Sequence, residues 1–212
     1  MNQTIWIARH GNRLDFVNPD WFNTAERPYD PPLSEDGLVQ AQELGQRLKS
    51  EKISHVFCSP FLRTLQTAAP VAEILDLPLK LEAGLSEWLN PEWMRAKPET
   101  LALQVLKKHF PRLDLSYTSR VIPKYPETIE ELGERTGATA RILVEEFTQD
   151  LLFVGHGASV CGTTAGLVGG SPFINASLCC LVKLVRQNEN WHLELNGDTS
   201  HLSSTESKVR FN

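Results

Sequence analysis

Three short apolar runs in this chain end in the same kind of place. Thr4-Ile5-Trp6-Ile7-Ala8 runs into Arg9-His10-Gly11, residues 53–58 run into Ser59-Pro60, and residues 151–154 run into Gly155-His156-Gly157. Runs of this length, rich in β-branched and aromatic residues, read as buried strands. Glycine permits a sharp turn or close approach of a ligand where the strand stops. The segments between the runs show apolar spacings of three and four, which read as helices. Strands alternating with helices predict an α/β chain, a three-layer α/β/α sandwich on a mostly parallel central sheet. In such a sheet the carboxyl ends of the strands share one edge, where sites collect. That edge would gather Arg9, His10, Ser59 and His156, with Arg63 one helical turn past the second junction.

Helix punctuation fits the alternation. Ser34 reads as an N-cap with Glu35 and Asp36 in the first turn, and Leu38, Ala41, Leu44 and Leu48 follow at helical spacing. Pro60 opens a second helix reaching about residue 75, since proline is tolerated in a first turn. Residues 77–81 are a short strand candidate weakened by Pro78. A long helix over 128–147, apolar at Ile129, Leu132, Leu143 and Phe147, precedes the third junction, and a small-residue helix over 158–168 follows it. Residues 178–185 and 191–195 make a closing hairpin that adds antiparallel edge strands. The polar tail from Gly197 onward is expected to be loosely held.

Two stretches stand outside this scheme. Residues 12–33 carry Asn18-Pro19, Arg27-Pro28 and Asp30-Pro31-Pro32, so regular structure is not expected there. Loops of that length are usually functional, and Phe16, Trp21, Phe22 and Tyr29 would either wall a site or anchor the loop. Residues 84–126, broken by Pro91, Pro98, Pro111 and Pro123, read as an insertion holding one amphipathic helix over 99–110, with Leu101, Val105 and Leu106 on one side.

Length and composition bound the function. A chain of 212 residues suits one domain, 1–212, carrying that insertion. A net charge of −5, with both signs mixed along the chain, gives no support for nucleic-acid binding. No apolar run is long enough for a membrane span, and Met1-Asn2-Gln3-Thr4 lacks the basic-then-apolar order of a signal peptide, so a cytoplasmic protein is expected. Cys58, Cys161, Cys179 and Cys180 lie in apolar stretches without zinc spacing and read as thiols of a reducing compartment; Cys161 alone is near the suspected site. The edge of the closing hairpin would permit a homodimer.

Two arginines and two histidines on one sheet edge make an electropositive pocket suited to a phosphoryl group, because phosphoryl transfer is largely positioning and charge stabilisation. Singly, each residue has a plain structural reading: a lone histidine is most often core, and most arginines are surface residues. His10 and His156 gain from sharing one setting, just after a strand and just before a glycine. Arg63 sits in a first helical turn, where a cation opposes the helix dipole and a bound anion would relieve it. Neighbouring guanidiniums disfavour an imidazolium and so favour a neutral histidine nucleophile. The leaving oxygen then needs a proton, which a carboxylic acid held partly neutral by burial can supply. Glu87, beside Leu85 and Trp88, is the first candidate; Glu82 and Glu92 are alternatives, and Asp15 is a weaker one. Arg13 divides evenly between solvent and phosphate. No His, Asp or Glu cluster has metal-ligand spacing, so no metal or other cofactor is expected.

The motifs Arg9-His10-Gly11, Leu33-Ser34-Glu35-Asp36-Gly37 with Ala41-Gln42, Cys58-Ser59-Pro60-Phe61-Leu62-Arg63-Thr64-Leu65-Gln66-Thr67-Ala68, Leu85-Ser86-Glu87-Trp88 and Gly155-His156-Gly157 occur in that order, and together they resemble the histidine phosphatase superfamily, also called phosphoglycerate mutase-like. The resemblance implies a three-layer α/β/α fold and no metal. It implies transient phosphorylation of His10, a phosphoryl group held by Arg9, Arg63 and His156, and Glu87 as proton donor. Many members continue Arg-His-Gly-x-Ser/Thr-x-x-Asn, whereas this chain has Arg13 and Phe16 at the last two named positions. In that respect it is more similar to the phosphatase domain of the T-cell ubiquitin-ligand (suppressor of T-cell receptor signalling) proteins, which makes Arg13 a third phosphate-binding arginine. The departure favours a phosphomonoester hydrolase over a phosphoglycerate mutase. A non-catalytic phospho-ligand binder on the same fold is the remaining alternative. The implied partner is a phosphorylated small molecule or a phosphopeptide.

Overall fold

The first apolar run forms β1 (Thr4–Arg9) in the computed structural model, which describes residues 3–204. Its side chains alternate between two cores. Trp6 and Ala8 pack with Leu44, Leu48 and Leu65, while Ile5 and Ile7 pack with Ala140, Leu143 and Val160. A strand that is apolar on both faces needs helices on both.

The chain supplies them in order. Two single helical turns, α1 (Leu14–Val17) and α2 (Trp21–Thr24), are followed by α3 (Glu35–Leu48), β2 (Ile53–Cys58), α4 (Leu62–Ile74) and β3 (Leu79–Leu81). Then come α5 (Leu103–His109), α6 (Ile129–Glu146), β4 (Asp150–Gly155), α7 (Gly157–Val168) and the hairpin β5 (Leu181–Gln187) and β6 (Asn190–Asp198). Helices α3 and α4 cover one face and α6 and α7 the other, which gives the expected three layers. Glycines let α6 and α7 approach closely: a Cβ on Gly166 would stand 2.2 Å from the Cα of Gly137.

The sheet order is β3-β2-β4-β1-β5-β6; β1 to β4 are parallel, and β5 and β6 are antiparallel. Register builds the site. Arg9 is level with Gly155, and Cys58 with Val154, so His10, Ser59 and His156 leave three adjacent strands at nearly the same height. Backbone bonds lock the exits: His10 N–H donates to Gly155 at 3.0 Å and Ser59 N–H to Val154 at 3.0 Å.

Several expectations are corrected. The stretch 12–33 is not wholly irregular, since it folds into α1 and α2 and is tied back by Leu14 N–H donating to the Pro32 carbonyl at 2.9 Å. Pro60 lies outside its helix, which begins at Leu62 and has no cap from its own Phe61; Asp30 of the loop supplies one, accepting from Leu62 N–H at 2.7 Å. Leu38, Val105 and Ile129 keep helical spacing but are exposed, because α3 buries a face centred on Ala41, Leu44 and Leu48 and α6 one centred on Leu132, Thr136 and Leu143. The helix expected over 99–110 shortens to α5, whose cap position holds Ala102 with no side-chain acceptor. Gly197 belongs to β6 rather than to a loose tail; residues 205–212 of that tail, and Met1 and Asn2 of the N-terminal reading, lie outside the described residues. No helix among the described residues is long and apolar enough to cross a membrane.

Candidate active site

The carboxyl ends of β1 and β4 bring His10 and His156 edge to face, with ring centroids 5.3 Å apart. His10 Nδ1 lies 2.8 Å from the Gly11 carbonyl. A carbonyl only accepts, so Nδ1 carries the proton and Nε2 keeps its lone pair. Nε2 is buried and has no hydrogen-bond partner among the described residues. Burial, then Arg63, Arg9, His156 and Arg13, hold this imidazole well below its ordinary value of 6.5. The ring is therefore neutral at physiological pH, with an unoccupied lone pair facing cations.

Three guanidiniums surround it. Arg9 is anchored by donating from Nη1 to the Ala176 carbonyl at 2.7 Å. Arg63, buried in the first turn of α4, donates to the Tyr29 carbonyl at 3.4 Å. Burial and the nearby Arg13 push Arg63 down to about 10, so it remains charged while repelled by a like charge. Arg13 donates from Nε to Asp15 at 2.9 Å, and its guanidinium lies 4.3 Å over the Phe16 ring. The two residues that depart from the common motif thus work as a unit, with Phe16 supporting Arg13 by its face. Arg13, Arg63 and Glu87 line one cavity of about 340 Å³.

Glu87 enters from the insertion. Its Oε2 lies 3.3 Å from His156 Nδ1 and 3.5 Å from Arg63 Nη2, and its Oε1 accepts from Trp88 N–H at 3.0 Å. The expectation that burial keeps this acid partly neutral is overturned. Burial does push the carboxyl up, but the contacts to His156, Arg63 and Arg13 outweigh it and hold Glu87 below the usual carboxylate range. His156 is pushed down to about 4, burial and Arg63 outweighing its carboxylate neighbour. His156 Nε2 lies 2.8 Å from Ser59 Oγ, which orients the ring between the serine and Glu87. Of the other acids weighed, Glu82 is buried but accepts from Gly84 N–H, Arg120 N–H and the Tyr117 hydroxyl, which commits it to holding the insertion in place. Glu92 is exposed, and Asp15 is paired with Arg13.

Two positioning residues have roles that the sequence does not reveal. Arg135 of α6 donates to the carbonyls of Gly84 at 2.8 Å, Ser86 at 3.2 Å and Glu87 at 3.1 Å, and pairs with buried Glu127. Glu127 in turn accepts from Leu89 N–H at 3.1 Å. This pair grips the segment that carries Glu87. Thr67 accepts from Gly11 N–H at 3.1 Å and donates to the Arg63 carbonyl at 2.8 Å, joining the first two junctions. In sequence, Arg135 is one cation in a Glu-rich helix start, and Thr67, though within the motif over residues 58–68, has nothing beside it to show which backbone group it holds.

The aromatic loop serves both expected ends. Phe16, Phe22 and Tyr29 line the cavity with Trp93, while Trp21 is turned to the loop's own backbone, donating to the Pro28 carbonyl at 2.9 Å. Tyr29 and Trp93 also pack on a small core of Phe61, Leu89 and Met94 that joins loop to insertion. Ligand atoms of His10, Glu87 and His156 all lie within 4.8 Å of one another, a spacing that suits a cation by distance. Arg9, Arg13 and Arg63 set the local field, and that field favours an anion.

Charge and geometry together give a buried, cationic site on the carboxyl edge of an α/β/α sheet, of a kind that suits a phosphoryl group. Residues 5–199 match the model of the histidine phosphatase superfamily (branch 1), and the chain belongs to that superfamily. It is 28% identical over 254 residues to the transcription factor tau 55 kDa subunit of Saccharomyces cerevisiae, covering 96% of this chain and 57% of that protein. It is 33% identical over 213 residues to the human ubiquitin-associated and SH3 domain-containing protein A, of the group its motifs pointed to, covering 80% of this chain and 32% of that one. The chain therefore spans only part of the length of these relatives. Among solved structures, the ecdysone phosphate phosphatase of Bombyx mori in complex with tungstate superposes with a TM-score of 0.79 at 21% identity, covering 99% of this chain and 98% of that one, a likeness of fold.

Proposed function

We propose that this chain is a phosphomonoester hydrolase acting through a phosphohistidine on His10, without a cofactor. The observation that carries the proposal is His10 Nε2, deprotonated, buried and unpartnered within the field of Arg9, Arg13 and Arg63. Nε2 attacks phosphorus, the ester P–O bond breaks, and the leaving oxygen takes a proton from Glu87. A phosphoryl dianion in the pocket offsets the guanidiniums that keep Glu87 ionised, so substrate binding lifts the carboxyl toward its protonated form. Glu87 then accepts a proton from water, the water oxygen bonds to phosphorus, the P–N bond breaks, and phosphate and free His10 result. Arg9, Arg13, Arg63 and His156 hold the phosphoryl oxygens throughout. The substrate is a phosphorylated small molecule or a phosphopeptide, and the four free cysteines fit a reducing, cytoplasmic setting. The departure of Arg13 and Phe16 from the common motif supports hydrolysis over a phosphoglycerate mutase reaction.

Glu87→Gln separates the roles. Hydrolysis of an alkyl phosphate, whose alkoxide must be protonated, is expected to slow by about 10²–10⁴-fold, with a much smaller loss on para-nitrophenyl phosphate. Parallel rate measurements on the two esters check this, and equal losses would mean that Glu87 only shapes the site. Absence of turnover on every phosphoester would favour the alternative reading, a non-catalytic phospho-ligand binder on the same fold.

A further inference from the structure

A second cavity of about 380 Å³ adjoins the phosphate pocket, and the reaction above does not use it. It lies between α6, α7 and the Trp88–Trp93 pair, whose rings meet edge to face 4.9 Å apart. Ile129, Leu132 and Gly133 line it from α6, and Cys161 lines it from α7. Glu87 is the one charged residue on its lining, whereas Arg13, Asp15 and Arg63 all line the first cavity. Glu87 and Trp93 border both cavities.

We infer that this second cavity receives the alcohol portion of the substrate, and that the substrate is the phosphomonoester of a bulky apolar alcohol. The inference rests on the hydrolase reading above. In-line displacement places the leaving oxygen opposite His10 Nε2 and against its proton source, Glu87. The group attached to that oxygen therefore begins at the residue the two cavities share. The first cavity sets Phe16, Phe22 and Tyr29 among Arg13, Asp15 and Arg63, so an apolar group there would strip water from ions without replacing it, whereas Trp88, Ile129 and Leu132 of the second gain by losing water with no such cost. The volume falls in the usual range for small-molecule sites, roughly 300–1,000 Å³. A sugar or a serine would leave it unfilled. The exposed position of Ile129, 46% open despite its apolar spacing on α6, is accounted for as part of the cavity wall.

Gly133 provides the test. No atom lies within 4 Å of the place a Cβ on Gly133 would occupy, so Gly133→Leu starts its side chain in open space and carries it into the cavity, and it replaces a helix-interior glycine. Phenyl and para-biphenylyl phosphate have leaving groups of similar acidity and differ in apolar reach. For the native chain, kcat/KM is expected to favour the biphenylyl ester by about 10- to 100-fold, the range that follows from burying one further ring. Gly133→Leu is expected to cut that preference about tenfold, through KM, while Gly133→Ala largely retains it. A native preference near one, or one that survives Gly133→Leu, would overturn the inference. If neither ester is hydrolysed, the hydrolase reading fails instead, and alkylation of Cys161, the one cysteine of the four that is not fully buried, judges the cavity alone. Para-phenylphenol should then slow alkylation in the native chain but not in Gly133→Leu, and no slowing would overturn the inference by that route.

Discussion

His10→Ala is expected to lower kcat on para-nitrophenyl phosphate by about 10⁴-fold or more, the scale seen when the nucleophile of a covalent mechanism is deleted. The loss should not come from unfolding. The imidazole makes its one hydrogen bond to the adjacent Gly11 carbonyl, and it is held neutral by burial and the arginines around it. Its removal leaves a small cavity among guanidiniums that an anion still neutralises. Urea unfolding should place the variant within about 2 kcal/mol of the native chain, less than the cost of a large core truncation. Phosphate should still bind, since Arg9, Arg13, Arg63 and His156 remain. Appreciable residual turnover in a well-folded variant would remove His10 as nucleophile.

Arg135→Met is expected to cost about 3–5 kcal/mol of stability, because it leaves Glu127 as an uncompensated charge in the interior. Arg135 and Glu127 are 7% and 5% exposed, so solvent does little to screen the loss. The carbonyls of Gly84, Ser86 and Glu87 lose a donor at the same time. Arg135→Met/Glu127→Leu removes both charges and should recover most of the stability, since a buried pair replaced by apolar groups is often neutral. Catalysis should not recover with it. The Glu87 segment remains ungripped, so the double variant should share the leaving-group dependence of Glu87→Gln. Urea midpoints and paired rates on alkyl and aryl phosphates measure the two effects separately. A stable double variant with native rates on both esters would show that the ion pair does not position Glu87.

What was legible in the sequence follows from which interactions are local. The strands announced themselves because Ile5, Ile7, Leu151 and Phe153 are buried on one face and Trp6, Ala8, Leu152 and Val154 on the other, which leaves an unbroken apolar run. The junction residues were legible because parallel register carries consecutive strand ends to one edge. Arg135, Glu127, Thr67 and Asp30 were not, because each acts on a backbone group far away in the chain. The protonation of Glu87 was misjudged for a related reason: burial is readable from apolar neighbours, but the nearness of His156 and Arg63 is not. Leu38 and Ile129 show the reverse error, since helical spacing defines a stripe without saying how wide a stripe the sheet covers.

The phosphohistidine is the claim on which the rest depends, and trapping it is the direct test. Native chain mixed with excess para-nitrophenyl phosphate and quenched in alkali within milliseconds, where phosphohistidine survives, should give a peptide containing residues 9–11 that carries one added phosphoryl group on His10, at a yield that tracks the burst of nitrophenol. Glu87→Gln, slowed in activating water, should raise that yield, and His10→Ala should abolish it. Steady turnover by a native chain with no phosphoryl group on His10, or with the group on another residue, would contradict the account.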